Sequence, residues 1–293
     1  MMEKKKIIFI INPISGVGKQ RLVETAIDKT LDKSIFDYDI SYSNAPKHAT
    51  ELSKDAVDKN YDIVVAVGGD GSINEVAKGI IGSNCILGII PVGSGNGLAR
   101  HFNLPFDISQ AIEVINQCNT IKIDTATIND QLFLSIAGVG FDALVANKFA
   151  KGKRRGFWSY FKITVREYPK YKPKKYSLTI DGKKMNRRAL LVSFANSNQF
   201  GYNTSIAPMA IINDGFLDVC ILRKVPIVKA PFIAHLLFSK RIDKTPYMEI
   251  IKAKEVKVIR KKNSKIHIDG DSLKLNKELN IKINPLSIKV IVP

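Results

Sequence analysis

The feature that most limits the fold is a five-residue run, Ile63-Val64-Val65-Ala66-Val67, which contains no polar residue and closes on Gly68-Gly69-Asp70-Gly71. A strand without alternation is buried on both faces, and a parallel sheet between two layers of helix is the arrangement that buries both. The same grammar runs through the first ~125 residues. Strands are expected at Ile7–Ile11, 37–42, 63–67 and 87–90, with helices at 17–31, 47–59, 73–82 and 107–117. Such alternation predicts an α/β domain built on a parallel sheet.

After Ile121 the pattern changes. Strand-like runs crowd together at 121–128, 132–137, 176–181, 188–195, 217–222, 254–260, 265–268, 279–283 and 286–292. Asp181-Gly182 between two of them is a hairpin signal. One helix is expected near 227–239. The chain therefore reads as α/β overall: an N-terminal parallel-sheet domain at 1–125, then a mostly antiparallel β domain at 126–293. Residues 147–176 combine basic and aromatic residues; Phe157 to Val165 is expected to be an amphipathic helix and the chain after Pro169 to be extended.

The bulk numbers narrow the class. A length of 293 residues suits one large or two ordinary domains. A net charge of +18 points to an anionic partner: nucleotide, anionic membrane surface or nucleic acid. No nucleic-acid motif accompanies the charge, so nucleic acid is set aside. Cys85, Cys118 and Cys220 are far apart, fit neither a zinc site nor a disulfide framework, and suit a cytoplasmic protein. Lys4, Lys5 and Lys6 precede an apolar run too short for a signal peptide, and no stretch approaches the ~20 apolar residues of a membrane span. His48, His101, His235 and His267 show no metal spacing and are expected to be structural or solvated.

Three glycine-bearing turns follow strands. In Gly68–Glu75, three glycines in four residues let backbone amides approach a polyanion, and a helix N-terminus attracts phosphate. Ser72 and Glu75 stand at capping-box spacing, which would start the helix there. Asp70 cannot itself favour phosphate and is expected to organise magnesium or to act as a base. The second turn, Pro91 to Gly97, offers Ser94 to a phosphate and is followed by Arg100 as a compensating charge. The third is Asn12-Pro13-Ile14-Ser15-Gly16. Ligands in open parallel sheets sit at the carboxyl ends of strands, which is where all three turns lie. The P-loop, the dinucleotide fingerprint and the protein-kinase motifs are all missing from the sequence.

Together, NPISG at 12–16, GGDGSINEV at 68–76, PVGSGNGLAR at 91–100, AGVGFDA at 137–143, NDGFLDV at 213–219 and IDGD at 268–271 resemble the diacylglycerol kinase catalytic-domain superfamily, which includes bacterial diacylglycerol kinases and sphingosine kinases. GGDG alone is shared with NAD kinases and phosphofructokinases; the combination is far more specific. The resemblance implies an N-terminal nucleotide-binding domain at 1–125 and a C-terminal β-sandwich at 126–293 for the substrate, with ATP bound by Asn12, Ser43, Gly69, Asp70, Gly71, Ser72, Ile73, Asn74, Glu75 and Ser94; Asn96 and Arg100 of the second glycine turn are added to that set. It implies catalytic support from Asp124, and a structural Mg2+ held by the Asp218 carboxylate with the carbonyls of Gly215 and Cys220. The proton acceptor of the superfamily lies in Asp-Gly-Glu. Here the sequence is Asp269-Gly270-Asp271, so Asp271 takes that place one methylene short, and Asp269 shares or takes the task. Many relatives have Asn-Asp where this chain has Asn96-Gly97, a form closer to the sphingosine kinases.

The implied reaction is transfer of the ATP γ-phosphoryl group to a lipid hydroxyl, by positioning and charge stabilisation. Diacylglycerol, a long-chain sphingoid base and a ceramide-like alcohol all remain open as acceptors. The rival readings are a soluble-substrate kinase of the NAD-kinase type and a non-catalytic lipid or nucleotide binder. Expected partners are the lipid substrate and an anionic membrane surface, with a homodimer left open. Lys151, Lys153, Arg154 and Arg155 would meet headgroups, and Trp158, Tyr160 and Phe161 would enter the interface of a membrane on which the protein sits peripherally. Pro231 to Phe238 is expected to pack in the core, with lining of a lipid tail as the alternative.

Overall fold

The computed structural model describes residues 4–15, 20–152 and 156–293. Gly16, the first residues of the expected 17–31 helix, and Lys153, Arg154 and Arg155 lie outside them. The chain divides into two compact units, Met1–Ile123 with Leu286–Pro293, and Asp124–Pro285.

The first unit runs β1 (Lys5–Ile11), α1 (Gln20–Thr30), β2 (Phe36–Tyr42), α2 (His48–Asp58), β3 (Ile63–Gly68), α3 (Asp70–Ile80), β4 (Ile86–Pro91), a short α4 (Gly97–His101) and α5 (Ile108–Gln117). The strands are parallel in the order β2-β1-β3-β4. Every residue of β3 is buried, as a strand covered on both faces must be. The order reverses between β1 and β3. Right-handed crossovers therefore place α1 on one face of the sheet and α2 and α3 on the other. α2 packs on α3, and α1 on α5. The returning C-terminal residues add to the same sheet, Lys289 and Val290 pairing in parallel with Ile86 and Leu87.

The expected helix at 73–82 begins three residues earlier, at Asp70, with Gly69 as its N-cap and no side chain capping it. The capping box does not form. Ser72 Oγ instead accepts from Asn12 Nδ2 at 2.9 Å, and Glu75 Oε1 accepts from the Lys47 amide at 3.0 Å. Tertiary partners have taken both side chains that the local motif would use.

The second unit starts within β5 (Thr120–Ile128) and continues through β6 (Gln131–Phe133), β7 (Ile136–Gly140), α6 (Phe141–Lys151), α7 (Phe157–Glu167), β8 (Lys174–Ile180), β9 (Lys183–Ala189) and β10 (Leu191–Ala195). Then come β11 (Gln199–Gly201), β12 (Thr204–Ser205), β13 (Leu217–Leu222), α8 (Ala230–Phe238), β14 (Met248–Ala253), β15 (Glu255–Ile259), β16 (Ser264–Ile268), β17 (Asp271–Leu275) and β18 (Glu278–Ile291). One antiparallel sheet has the order β14-β13-β10-β7-β16-β17. β9, β8, β15 and β18 form another antiparallel set. Inward residues of both, including Val139, Phe194, Val219, Leu178, Val258 and Ile281, share one core. The turn between β8 and β9 is Asp181-Gly182, both with positive φ, as a tight hairpin requires.

The opposite face of the six-stranded sheet carries a second apolar layer under α6 and α8, with Phe141, Val145, Leu191, Ile233 and Leu236 in it. Helix α6 was not expected: it opens at the last residue of β7, so no polar break separates strand from helix. The expected strand at 132–137 is two strands, and so is 188–195, interrupted at Leu190, whose backbone bonds both Leu222 and Phe141. Conversely, 279–283 and 286–292 are one strand, which passes through Leu286 at φ 46°. Pro231 to Phe238 is core only in part: Ile233 and Leu236 are buried, whereas Phe232 and Phe238 are exposed.

Candidate functional site

In the first unit, the carboxyl ends of the strands bring the predicted turns to one rim. Asn12 follows β1, Ser43 follows β2, Gly69 follows β3 and Gly93 lies two residues past β4. The reversal in strand order between β1 and β3 puts Asn12 and Gly69 at the topological switch point, where open α/β sheets bind ligands. Backbone bonds lock the rim: Asn12 N donates to Val67 O, Ser43 N to Ile11 O, and the Val92 and Gly93 amides to Gly68 O at 3.1 and 3.2 Å.

The two glycine turns touch backbone to backbone. A Cβ on Gly93 would stand 2.4 Å from Gly69 Cα, so only glycine permits the approach. Asp70 stitches the turns together: its carboxylate accepts from the Gly97 amide at 3.0 Å and the Leu98 amide at 3.2 Å. Arg100 faces inward to the same turn, donating from Nε to Gly95 O at 3.1 Å while its guanidinium stacks on Phe106 at 4.4 Å. Asn96 is buried with φ 52°; its Nδ2 donates to Gly93 O, and its Oδ1 has no hydrogen-bond partner. Ser94 is exposed at the tip.

The other predicted nucleotide residues separate. Gly71 is half-buried in the first turn of α3, and Ser72 is committed to Asn12. Ile73 offers nothing to a ligand, because its side chain is in the core and its amide bonds Gly69 O. Asn74 is buried, and Glu75 binds the Lys47 amide. The arrangement fits a polyphosphate by its glycine backbone and the uncapped start of α3. The orphaned Asn96 Oδ1 is an acceptor and suits an N–H or O–H donor of a ligand, not a phosphate oxygen.

In the second unit, the β16–β17 hairpin turns on Asp269 and Gly270, both at positive φ. The two candidate acids differ sharply. Asp269 is buried, and its carboxylate accepts from the amides of Leu134 at 2.9 Å, Ser135 at 2.9 Å and Ile136 at 3.0 Å. A carboxylate so occupied is an anchor for the chain at 134–136. Asp271, the first residue of β17, is exposed.

Asp124 is fully buried, and its Oδ2 accepts from the Gly215 amide at 2.7 Å. Asn196 Nδ2 donates to the Asp124 and Leu134 carbonyls, tying this segment to the one Asp269 holds. Asp218 lies buried on β13; burial pushes its carboxyl above the usual range, opposed by Lys252 and reinforced by Asp214. The Lys252 ammonium is itself hydrogen-bonded to Asp214. A buried carboxylate beside the left-handed turn at Gly215 is a hard-oxygen donor set that suits magnesium. Cys220 fits less well: it sits mid-strand, paired on both sides, so its carbonyl belongs to a ladder. Among the described residues, no group of three or more His, Cys, Asp or Glu side chains could hold a metal by itself.

One buried cluster escaped the sequence reading. On the helix-covered face of the six-stranded sheet, Asp142 Oδ2 lies 3.0 Å from His267 Nε2 and accepts from Ser193 Oγ at 3.1 Å. Asp142 Oδ1 accepts from the Ala143 amide. Gly138 makes room, since a Cβ there would meet all three side chains. Ser193 points at the carboxylate and not at the histidine, so this is no hydrolase triad. The cluster pins the start of α6 to β16. The only sequence signal was Asp142 directly after GVGF.

Comparison with known proteins covers nearly the whole chain. Residues 6–128 match the family model of the diacylglycerol kinase catalytic domain, and residues 135–292 match that of the YegS C-terminal NAD kinase beta sandwich-like domain. A diacylglycerol kinase of Bacillus subtilis (strain 168) is 27% identical over 277 residues, spanning 92% of this chain and 90% of its own. A diacylglycerol kinase of Staphylococcus saprophyticus is 27% identical over 274 residues, spanning 92% and 89%. In fold, the chain is similar to a crystal structure of a diacylglycerol kinase from Bacillus anthracis, with a TM-score of 0.77 at 20% identity, covering 100% of this chain and 98% of that one.

Proposed function

Because the chain belongs to the diacylglycerol kinase catalytic-domain family, we propose that it is an ATP-dependent lipid kinase transferring the γ-phosphoryl group to a hydroxyl of diacylglycerol or a related lipid alcohol. The observation that carries the reading is the Gly69–Gly93 backbone contact stitched by Asp70, at the switch point of a parallel sheet. Residues 1–125 act as the nucleotide domain and 126–293 as the lipid-substrate domain.

The glycine turns present amides to the donor phosphates, with Asn12, Ser43 and Ser94 at the rim. Asp70 keeps the two turns in register. Asp218 with the Gly215 carbonyl would hold Mg2+, which when bound supplies positive charge to this acidic segment of the second unit. Asp271 accepts the proton of the attacking hydroxyl, since Asp269 is engaged by three amides. Asp124 supports the segment as a buried anchor. The enzyme works in the cytoplasm, peripherally on an anionic membrane.

A soluble acceptor is the second reading, favoured by the NAD kinase-like description of the matching C-terminal family model. A panel of acceptors with radiolabelled ATP and magnesium separates the two: diacylglycerol, a long-chain base and a monoacyl alcohol in mixed micelles, and NAD in buffer. Label in a lipid product supports the proposal, and label in NAD alone overturns it.

A further inference from the structure

A surface helix ordinarily turns its apolar stripe inward and its charges outward. Helix α7 does the reverse in part. Among its residues none is buried. Trp158, Phe161 and Val165, spaced to share one side of the helix, are all exposed, Trp158 to 71%. Tyr160, expected at a membrane interface, turns the other way. Its ring packs on Phe149 and Tyr202 against the second apolar layer.

A second element carries exposed apolar residues of its own. In the turn before α8, Ile227 is 60% and Val228 90% exposed, and Phe232 in the first turn of α8 is 60% exposed. The two elements join through the Phe157 and Phe238 rings, 5.9 Å apart. Two chain segments far apart in sequence thus meet at Phe157 and Phe238, and each carries exposed apolar side chains.

The charge around it has one sign. Lys151, Lys162, Arg166, Lys229, Lys240 and Arg241 are exposed in these segments. The carboxylates of these segments are few: Asp142 is buried, Glu167 pairs with Lys148 at 2.8 Å and lies 3.9 Å from Arg166, and Asp243 pairs with Lys244 at 3.6 Å. An apolar stripe with aromatic residues, rimmed by Lys and Arg in excess of carboxylates, complements a bilayer with anionic headgroups.

We infer that α7 and the segment 227–238 together form the face by which this protein docks onto an anionic lipid bilayer, with Trp158, Phe161, Val228 and Phe232 entering the headgroup region. The inference rests on the lipid-kinase reading for its purpose, but not for its geometry. A second copy of the chain on this face would set its positive charge against itself.

The sequence contains one tryptophan, and it lies in this face, so its emission reports docking directly. The full chain is titrated with phosphatidylglycerol vesicles and, separately, with phosphatidylcholine vesicles, at low and high salt. Docking predicts a blue shift with phosphatidylglycerol that weakens at high salt and is much smaller with phosphatidylcholine. Val228→Asp, at a side chain without packing to lose, and Phe232→Ser each keep Trp158 and are expected to weaken partitioning roughly tenfold. No shift with phosphatidylglycerol, unchanged partitioning of both variants, or a shift that follows protein concentration without vesicles (a second copy on this face) would overturn the inference. Turnover is measured in parallel on diacylglycerol in detergent micelles. Turnover without vesicle binding defeats docking and leaves the kinase standing; vesicle binding without turnover on any acceptor does the opposite.

Discussion

Gly93→Ala probes the contact on which the proposed nucleotide site depends. Gly93 is not held at a left-handed φ, so alanine meets no backbone strain there and its effect is steric. The added Cβ would lie 2.4 Å from Gly69 Cα, 2.6 Å from Asn96 Oδ1 and 3.0 Å from Gly69 N. Packed carbon atoms rest at about 3.5–4.0 Å, so the turns must part by more than about 1 Å. Nothing nearby can yield cheaply, because two of the three obstacles are backbone and the third belongs to a buried side chain. Overpacking of this kind destabilises by about 1–3 kcal/mol, a fall of a few degrees in melting temperature for a unit of this size. Misplacing a phosphate cradle by 1 Å lowers turnover by about a hundredfold. The assay pairs a thermal melt with binding of a fluorescent ATP analogue and turnover in mixed micelles. A protein that melts within a few degrees of the parent but has lost nucleotide affinity fits the reasoning. Parental affinity and turnover in Gly93→Ala would refute it, because the turns could then part without consequence for the ligand.

Other perturbations separate roles that share a residue type. Asp271→Asn is expected to lower turnover by about 10²–10⁴ with an unchanged melt, while Asp269→Asn, which leaves an amide N–H facing an NH2 group, destabilises the fold by about 1.5–3 kcal/mol; melts and kinetics of the pair check this. Burial raises the Asp218 carboxyl above its usual 3.8, so between that pH and its folded pKa the folded chain holds more protons than the unfolded one, and its contribution to stability declines as pH rises through that window. Magnesium is therefore expected to raise the melting temperature near neutral pH, by about 2.7 kcal/mol of stability at a hundredfold excess over Kd, and to do little in Asp218→Asn. Differential scanning with and without magnesium between pH 4 and pH 8 reads both. Arg100→Lys keeps the charge but loses the Phe106 stacking and the planar Nε donor to Gly95, and weaker nucleotide binding in this variant, by the same fluorescent analogue, is the expected result.

What the sequence revealed and concealed follows from where the partners of each residue lie. Ile63–Val67 and Ile7–Ile11 show two-sided burial by composition alone, and the turns after them carry their glycines in plain view. The Ser72–Glu75 spacing met every local condition of a capping box, yet Asn12 and the Lys47 amide, sixty and twenty-eight positions away, claimed the two side chains. Asp269 and Asp271 look equivalent in a four-residue window. Their division rests on three amides at 134–136, more than 130 positions upstream, which no spacing rule reaches. The return of Lys289 and Val290 to β4 is concealed for the same reason. Arg100 reads as a spare charge until Phe106 and Gly95 are placed around it.

The β16–β17 hairpin bears on the proposed role of the shortened acid at position 271. Asp271 sits one residue past a turn whose flanks are both fixed. Before the turn, His267 is held by Asp142, and Asp142 by Ser193 and the start of α6. At the turn, Asp269 grips the 134–136 backbone with its carboxylate, and its own amide donates to Ile136 O. Asn196 then fastens the Leu134 carbonyl to that of Asp124. A general base needs its carboxylate held within a fraction of an ångström, and a longer side chain on a looser hairpin would give reach at the expense of that precision. The buried polar residues around the turn fix the backbone from which the exposed Asp271 extends, so the place of its carboxylate is set by the hairpin as well as by side-chain length.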